Sequence, residues 1–130
     1  MRTPGDAGPA RAGGPRTGAL RRPWGTAVVR GRSMEPTLRE GDRLLVRYGV
    51  AARPGDLVVA RFVDGTLAVK RAAERRALRT GGPGWWLLSD NPAEGVDSRH
   101  RGPVADAEVR AVVLARVWPS PRLGRRLRRP

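Results

Sequence analysis

The stretch Asp56-Leu57-Val58-Val59-Ala60-Arg61-Phe62-Val63-Asp64-Gly65-Thr66-Leu67-Ala68-Val69-Lys70-Arg71-Ala72-Ala73 decides the fold class. Two apolar, β-rich runs flank Asp64-Gly65, a pair that tolerates the positive φ of a tight reversal, so the stretch reads as a hairpin. Side chains alternate between faces along a strand, which puts Leu67, Val69 and Arg71 on one side and Ala68, Lys70 and Ala72 on the other. Lys70 is thus flanked by two small apolar side chains, and it is the single lysine in an arginine-rich chain. Guanidinium stays protonated in proteins whereas a desolvated ammonium can lose its proton. One lysine kept where arginine serves every other basic position reads as a requirement for a base.

Outward from this hairpin the same punctuation repeats. Trp24 with Thr26-Ala27-Val28-Val29, then Arg43-Leu44-Leu45-Val46-Arg47-Tyr48, Trp85-Trp86-Leu87-Leu88 and Glu108 to Trp118 are short strand patterns separated by Gly, Pro and Asp turns. About six strands and no amphipathic helix argue for an all-β domain, a barrel or folded sheet, over residues 23–118. Residues 1–22 are mostly Gly, Pro, Ala and Arg, too poor in apolar surface to offset the entropy of ordering, and are expected to be a disordered tail. Pro119 ends the last strand pattern, and 119–130 reads as a second, Arg-rich tail.

At 130 residues and 14.1 kDa the chain suits one core. It has no cysteine and one histidine, His100, so thiolate or histidine metal clusters are excluded and a Ser-His-Asp triad is disfavoured; no metal or cofactor is expected. His100 reads as an exposed loop residue. No run reaches the roughly 20 apolar residues of a membrane span and no secretory signal is evident, so a soluble, cytoplasmic protein is expected. Of the net charge of +14, residues 1–22 hold +4 and residues 119–130 hold +5. That excess favours weak contact with anionic surfaces. No aromatics interleave with the arginines of the tails, so specific nucleic-acid binding is not expected.

The second decisive stretch is Gly31-Arg32-Ser33-Met34-Glu35-Pro36-Thr37-Leu38-Arg39-Glu40-Gly41-Asp42. Ser33 follows a strand, and Pro36 forbids regular pairing just beyond it, which leaves an exposed turn suited to a nucleophile. A serine hydroxyl needs a base to take its proton, and with histidine scarce that base is Lys70. A Ser-x-x-Lys helical turn is excluded by the sequence separation of the two residues, so separate strands must bring them together.

These residues resemble the type I signal peptidases, serine peptidases with a Ser-Lys dyad on an all-β fold. The matching segments occur in family order: Gly31-x-Ser33-Met34-x-Pro36-Thr37-Leu38 with Gly41-Asp42, Pro54-Gly55-Asp56-Leu57-Val58, Val69-Lys70-Arg71, Asp90-Asn91-Pro92, and Asp97-Ser98-Arg99 with Gly102-Pro103-Val104. The resemblance implies Ser33 as the acylated nucleophile, Lys70 as general base and the Ser33 backbone N–H as an oxyanion donor. It further implies that Met34 shapes the pocket for the residue before the cut, and that Arg71, Asp90, Asn91, Asp97, Ser98 and Arg99 form the scaffold around the site. Family members normally have a membrane anchor and often a second β-domain, so this chain reads as a reduced catalytic core. Gly31 stands where some members have an oxyanion-donating serine, Gly95 where many have a serine that orients the lysine, and Ser89 where a glycine is usual.

Within that family the chain is most similar to the small anchorless type that matures nickel superoxide dismutase, sharing Gly41-Asp42-Arg43-Leu44-Leu45-Val46-Arg47-Tyr48-Gly49 and a Trp-Trp run before the Asp-Asn motif. The partner this implies is a nickel superoxide dismutase precursor, shortened at its N-terminus. Two other readings compete. A self-cleaving repressor-type Ser-Lys peptidase also carries Ser-Met-Glu-Pro-Thr, and Ala7-Gly8 and Ala12-Gly13 offer Ala-Gly bonds. A non-enzymatic basic nucleic-acid-binding protein would account for the charge.

Overall fold

The computed structural model describes residues 23–128, and the expected tail at 1–22 lies outside them. Eight strands follow in chain order: β1 (Trp24–Val28), β2 (Arg43–Tyr48), β3 (Leu57–Arg61), β4 (Leu67–Arg75), β5 (Gly84–Leu88), β6 (Val104–Ala105), β7 (Val109–Trp118) and β8 (Arg122–Leu123). Two single-turn helices, α1 (Ser98–Arg101) and α2 (Gly124–Leu127), and a 3-10 turn at Asp106–Glu108 complete the elements of the described residues. The strands form one antiparallel sheet in the order β1-β2-β7-β3-β4-β5-β6, with β8 added to β7. This all-β curled sheet is the fold class expected from the strand patterns.

The sheet curls because its longer strands change partners along their length. β7 pairs with β2 on one edge, while its other edge is shared between β3 and β8. β4 pairs with β3 over Leu67 to Arg71 and with β5 from Arg71 onward. Register shifts in β2, β3 and β4 add local twist. The edge of β4 before Arg71, on the side away from β3, therefore has no strand partner among the described residues.

Both faces of the sheet are covered. Leu57, Val59 and Val69 join one apolar cluster with Met34, Leu38, Leu44 and Val46, while Val58, Ala60 and Ala72 join the other with Trp85 and Leu87. Each fully buried aliphatic side chain contributes about 1.5–3 kcal/mol of apolar transfer, enough for this many to hold a small sheet closed. Trp85 is a core residue, and Trp86, half-buried on the other face, lies under the Arg76 guanidinium.

The fold does not stop at Pro119. The Arg-rich segment expected as a tail returns through β8 to α2, where Leu127 is 3% exposed and packs into the first cluster. The composition of 119–130 is dominated by arginine, but a single leucine at the right turn reaches the core. Gly124 permits the approach, since a Cβ there would sit 2.3 Å from the Leu114 carbonyl oxygen.

Candidate active site

The hairpin delivers Lys70 to the centre of the sheet. It pairs across from Val58, shares a face with Ala68 and Ala72, and is 3% exposed. Burial disfavours the ammonium, so the Lys70 pKa is lowered from its ordinary 10.5; the Asp97 carboxylate opposes the shift and the Arg99 guanidinium adds to it.

The serine arrives on a turn fixed at both ends. The Val29 N–H donates to the Asp42 carbonyl and the Gly41 N–H to the Val29 carbonyl, closing the neck of the loop. Within it the Leu38 N–H donates to the Met34 carbonyl, and Met34 and Leu38 are both buried in the core. Gly31 opens the turn with φ of 78°, a left-handed conformation that favours glycine. Ser33 is held between these anchors with its hydroxyl 3.2 Å from Lys70 Nζ, across a separation of 37 residues. Nothing lies within 4 Å of where a Gly31 side chain would begin, so no side-chain donor is supplied from there.

The Ser89-Asp90-Asn91 segment after β5 ties these two parts together. The Asn91 N–H donates to the Ser33 carbonyl at 2.8 Å and the Asp90 N–H meets Met34 Sδ at 3.4 Å. Asp90 Oδ1 accepts from Arg71 Nε at 3.1 Å, and the same carboxylate accepts from Arg71 Nη2 and from the Thr37 hydroxyl. Arg71, which leaves β4 on the face opposite Lys70, also donates to the Gly55 carbonyl at 2.9 Å and to the Leu127 carbonyl. One buried ion pair thus joins the lysine strand, the serine turn and the C-terminal helix.

Asp97, Ser98 and Arg99 hold the end of β5. Asp97 is fully buried, and its carboxylate accepts from Ser89 N–H at 2.8 Å, Arg99 N–H at 3.0 Å and Arg99 Nη2 at 2.8 Å. Burial works against that carboxylate, but the hydrogen bonds from Arg99 and Ser89 and the Arg99 charge outweigh it and hold the Asp97 carboxyl well below the usual range. Ser98 Oγ accepts from Leu87 N–H at 2.9 Å. His100, expected as a plain loop residue, caps a helix: its Nδ1 accepts from the Asp97 N–H at 3.3 Å and completes the capping box of α1.

A pocket of about 150 Å³ opens beside Ser33, lined by the apolar Val29, Met34, Leu67, Ala68 and Val69 and by the polar Arg30 and Thr66. Met34 thus does two things, lining the pocket and anchoring the turn in the core. The pocket runs along the unpaired edge of β4. An amine driven toward neutrality within reach of a serine hydroxyl that itself lines a largely apolar pocket is suited to acyl transfer.

Two members of this site are not evident from the sequence. Thr37 stands out there only as part of a motif, yet it bonds Asp90. Ser89 stands out only as a replacement for glycine, yet its Oγ is 2.8 Å from Lys70 Nζ. The one available signal is a polar residue directly after the apolar run of β5.

Residues 21–114 match the family model described as Peptidase S24-like. The chain is 32% identical over 115 residues to mitochondrial inner membrane protease subunit 1 of Schizosaccharomyces pombe, covering 72% of this chain and 73% of that protein. It is 30% identical over 113 residues to the protein of the same name from Xenopus tropicalis, covering 71% and 68%. With the serine turn, the lysine strand and the Asp-Asn segment all inside the matched region, the chain belongs to the Peptidase S24-like family and is a serine peptidase of the signal peptidase I-like type.

Proposed function

We propose that Ser33 is the nucleophile and Lys70 the general base of an endopeptidase that removes an N-terminal extension from a precursor protein, namely that of nickel superoxide dismutase. The observation that carries the dyad is the 3.2 Å approach of Lys70 Nζ to Ser33 Oγ at a buried position where the lysine is biased toward the neutral amine. Neutral Lys70 takes the Ser33 hydroxyl proton as Oγ attacks the scissile carbonyl carbon, and the Ser33 N–H stabilises the oxyanion. Collapse of the tetrahedral intermediate breaks the C–N bond, with the proton passing from Lys70 to the leaving amine. Water, deprotonated by the same lysine, then hydrolyses the acyl-serine.

The apolar side of the pocket, from Val29, Met34, Leu67, Ala68 and Val69, suits a small apolar side chain just before the cut. The unpaired edge of β4 suits an extended peptide added as a strand. The precursor assignment is supported by the likeness over Gly41 to Gly49 and the Trp85-Trp86 run. Co-expression with the dismutase precursor tests it: a product shortened at its N-terminus, absent with Ser33→Ala, is expected. An intact precursor beside a folded peptidase would overturn the substrate, and Ser33-dependent clipping of the chain's own Ala7-Gly8 or Ala12-Gly13 bond would favour self-cleavage.

A further inference from the structure

The geometry points to Ser89 as the positioning residue of the base: its hydroxyl holds the Lys70 amine so that the nitrogen lone pair faces Ser33. This deepens the dyad reading above and rests on it. A neutral lysine amine has two N–H bonds and one lone pair, and free rotation about Cε–Nζ presents either kind to a neighbouring hydroxyl. A base that turns an N–H toward Ser33 Oγ cannot take its proton. Lys70 Nζ donates to Ser89 Oγ at 2.8 Å, which commits one N–H and restricts that rotation. The longer 3.2 Å contact to Ser33 Oγ then falls to the remaining directions of the same nitrogen.

Ser89 is itself fixed from both sides. It is 7% exposed, its N–H is bonded to Asp97 Oδ2 at 2.8 Å, and the nearby Leu87 N–H is bonded to Ser98 Oγ at 2.9 Å. On its other side Asp90 is clamped by Arg71, and the Asn91 N–H reaches the Ser33 carbonyl at 2.8 Å. The hydroxyl is therefore built on a support that also holds the serine turn.

Position 95 is closed to this role. A Cβ on Gly95 would lie 2.8 Å from Ser33 Cβ and 3.3 Å from Lys70 Nζ, at φ of 78°. A side chain there would push on the dyad, so the orienting hydroxyl comes from the end of β5. The charged groups acting on Lys70 are Asp97 and Arg99, whose own pairing leaves the direct contact to the uncharged Ser89.

Because Lys70 is the single lysine, lysine labelled with ¹³C and ¹⁵N gives one side-chain amine signal, and its titration can be followed in the full chain without substrate. A hydroxyl that accepts from the amine favours the protonated form. Ser89→Ala and Ser89→Gly are therefore both expected to move the Lys70 titration further down in pH while the protein stays folded. Acylation of Ser33 by p-nitrophenyl acetate, read by mass spectrometry against Ser33→Ala, is expected to slow by about 10²-fold, the scale of a misplaced catalytic group. A folding defect would instead expose Lys70 and move its titration up toward 10.5, the opposite direction. Unchanged titration in both folded variants, or acylation at the wild-type rate, would overturn the inference. Were Lys70 of the unaltered chain to titrate as an ordinary lysine, the dyad itself would fall and this inference with it. An uncut dismutase precursor would bear only on the substrate.

Discussion

Arg71 and Asp90 form a buried ion pair, with side chains 6% and 2% exposed, that fastens the strand carrying Lys70 to the segment holding the Ser33 turn. Arg71 and Lys70 are adjacent in sequence and point to opposite faces, so one residue anchors the strand while the next is free to meet Ser33.

Breaking that pair leaves an uncompensated charge in the interior, a defect that costs about 3–5 kcal/mol. Arg71→Met should lower the urea midpoint by a corresponding amount and reduce cleavage in parallel. Full stability with lost activity would assign Arg71 to chemistry and not to scaffolding.

Lys70→Arg separates charge from basicity. Guanidinium cannot take the Ser33 proton, so a folded Lys70→Arg protein should lose cleavage by at least 10²–10⁴-fold, about the range of general-base catalysis. Ser33→Ala should be equally inactive, and the double variant no worse than either single one, as for residues acting as one unit. Substantial cleavage by Lys70→Arg would remove the Ser-Lys mechanism.

Two pH effects follow from Lys70. In the proposed dyad the neutral amine is the reactive form, so cleavage should rise with pH through a midpoint below the ordinary 10.5, because burial lowers the pKa. Between that lowered pKa and 10.5 the unfolded chain binds more protons than the folded one, so the Lys70 contribution makes stability rise with pH across this window. Lys70→Met, which removes the buried amine, should abolish the Lys70 part of this slope in pH-dependent urea unfolding.

Asp97 has the opposite signature. Its carboxyl is depressed in the folded state, so its stabilising contribution is complete above the unfolded value of 3.8 and is lost as pH falls toward the folded one. Asp97→Ala should lower stability at neutral pH, lower activity with it, and flatten the acid limb of unfolding below about pH 4.

Leu127 closes the core from the C-terminal side. Leu127→Ala should cost about 2–5 kcal/mol, the range for truncating a buried leucine. A chain ending at Leu123 should lose as much or more, since the Leu127 carbonyl that receives Arg71 goes too. A wild-type urea midpoint for either would place α2 outside the cooperative unit.

The strands are legible in the chain alone. Alternation and the Asp64-Gly65 turn are local properties, so β3, β4 and the face of Lys70 can be read residue by residue. The lone lysine and the Pro36-bounded turn single out Lys70 and Ser33 as the proposed base and nucleophile, because residue type limits which side chains can take those roles. What meets what across long separations is a matter of tertiary structure. The pairing of Arg71 with Asp90, the reach of Thr37 to the same carboxylate and the contact of Ser89 with Lys70 depend on sheet order and on where β4 changes partners. The same holds for Leu127, whose surroundings in the sequence are mostly arginines and whose surroundings in space are the core. Composition averages over a segment, whereas burial is settled side chain by side chain once the sheet has curled.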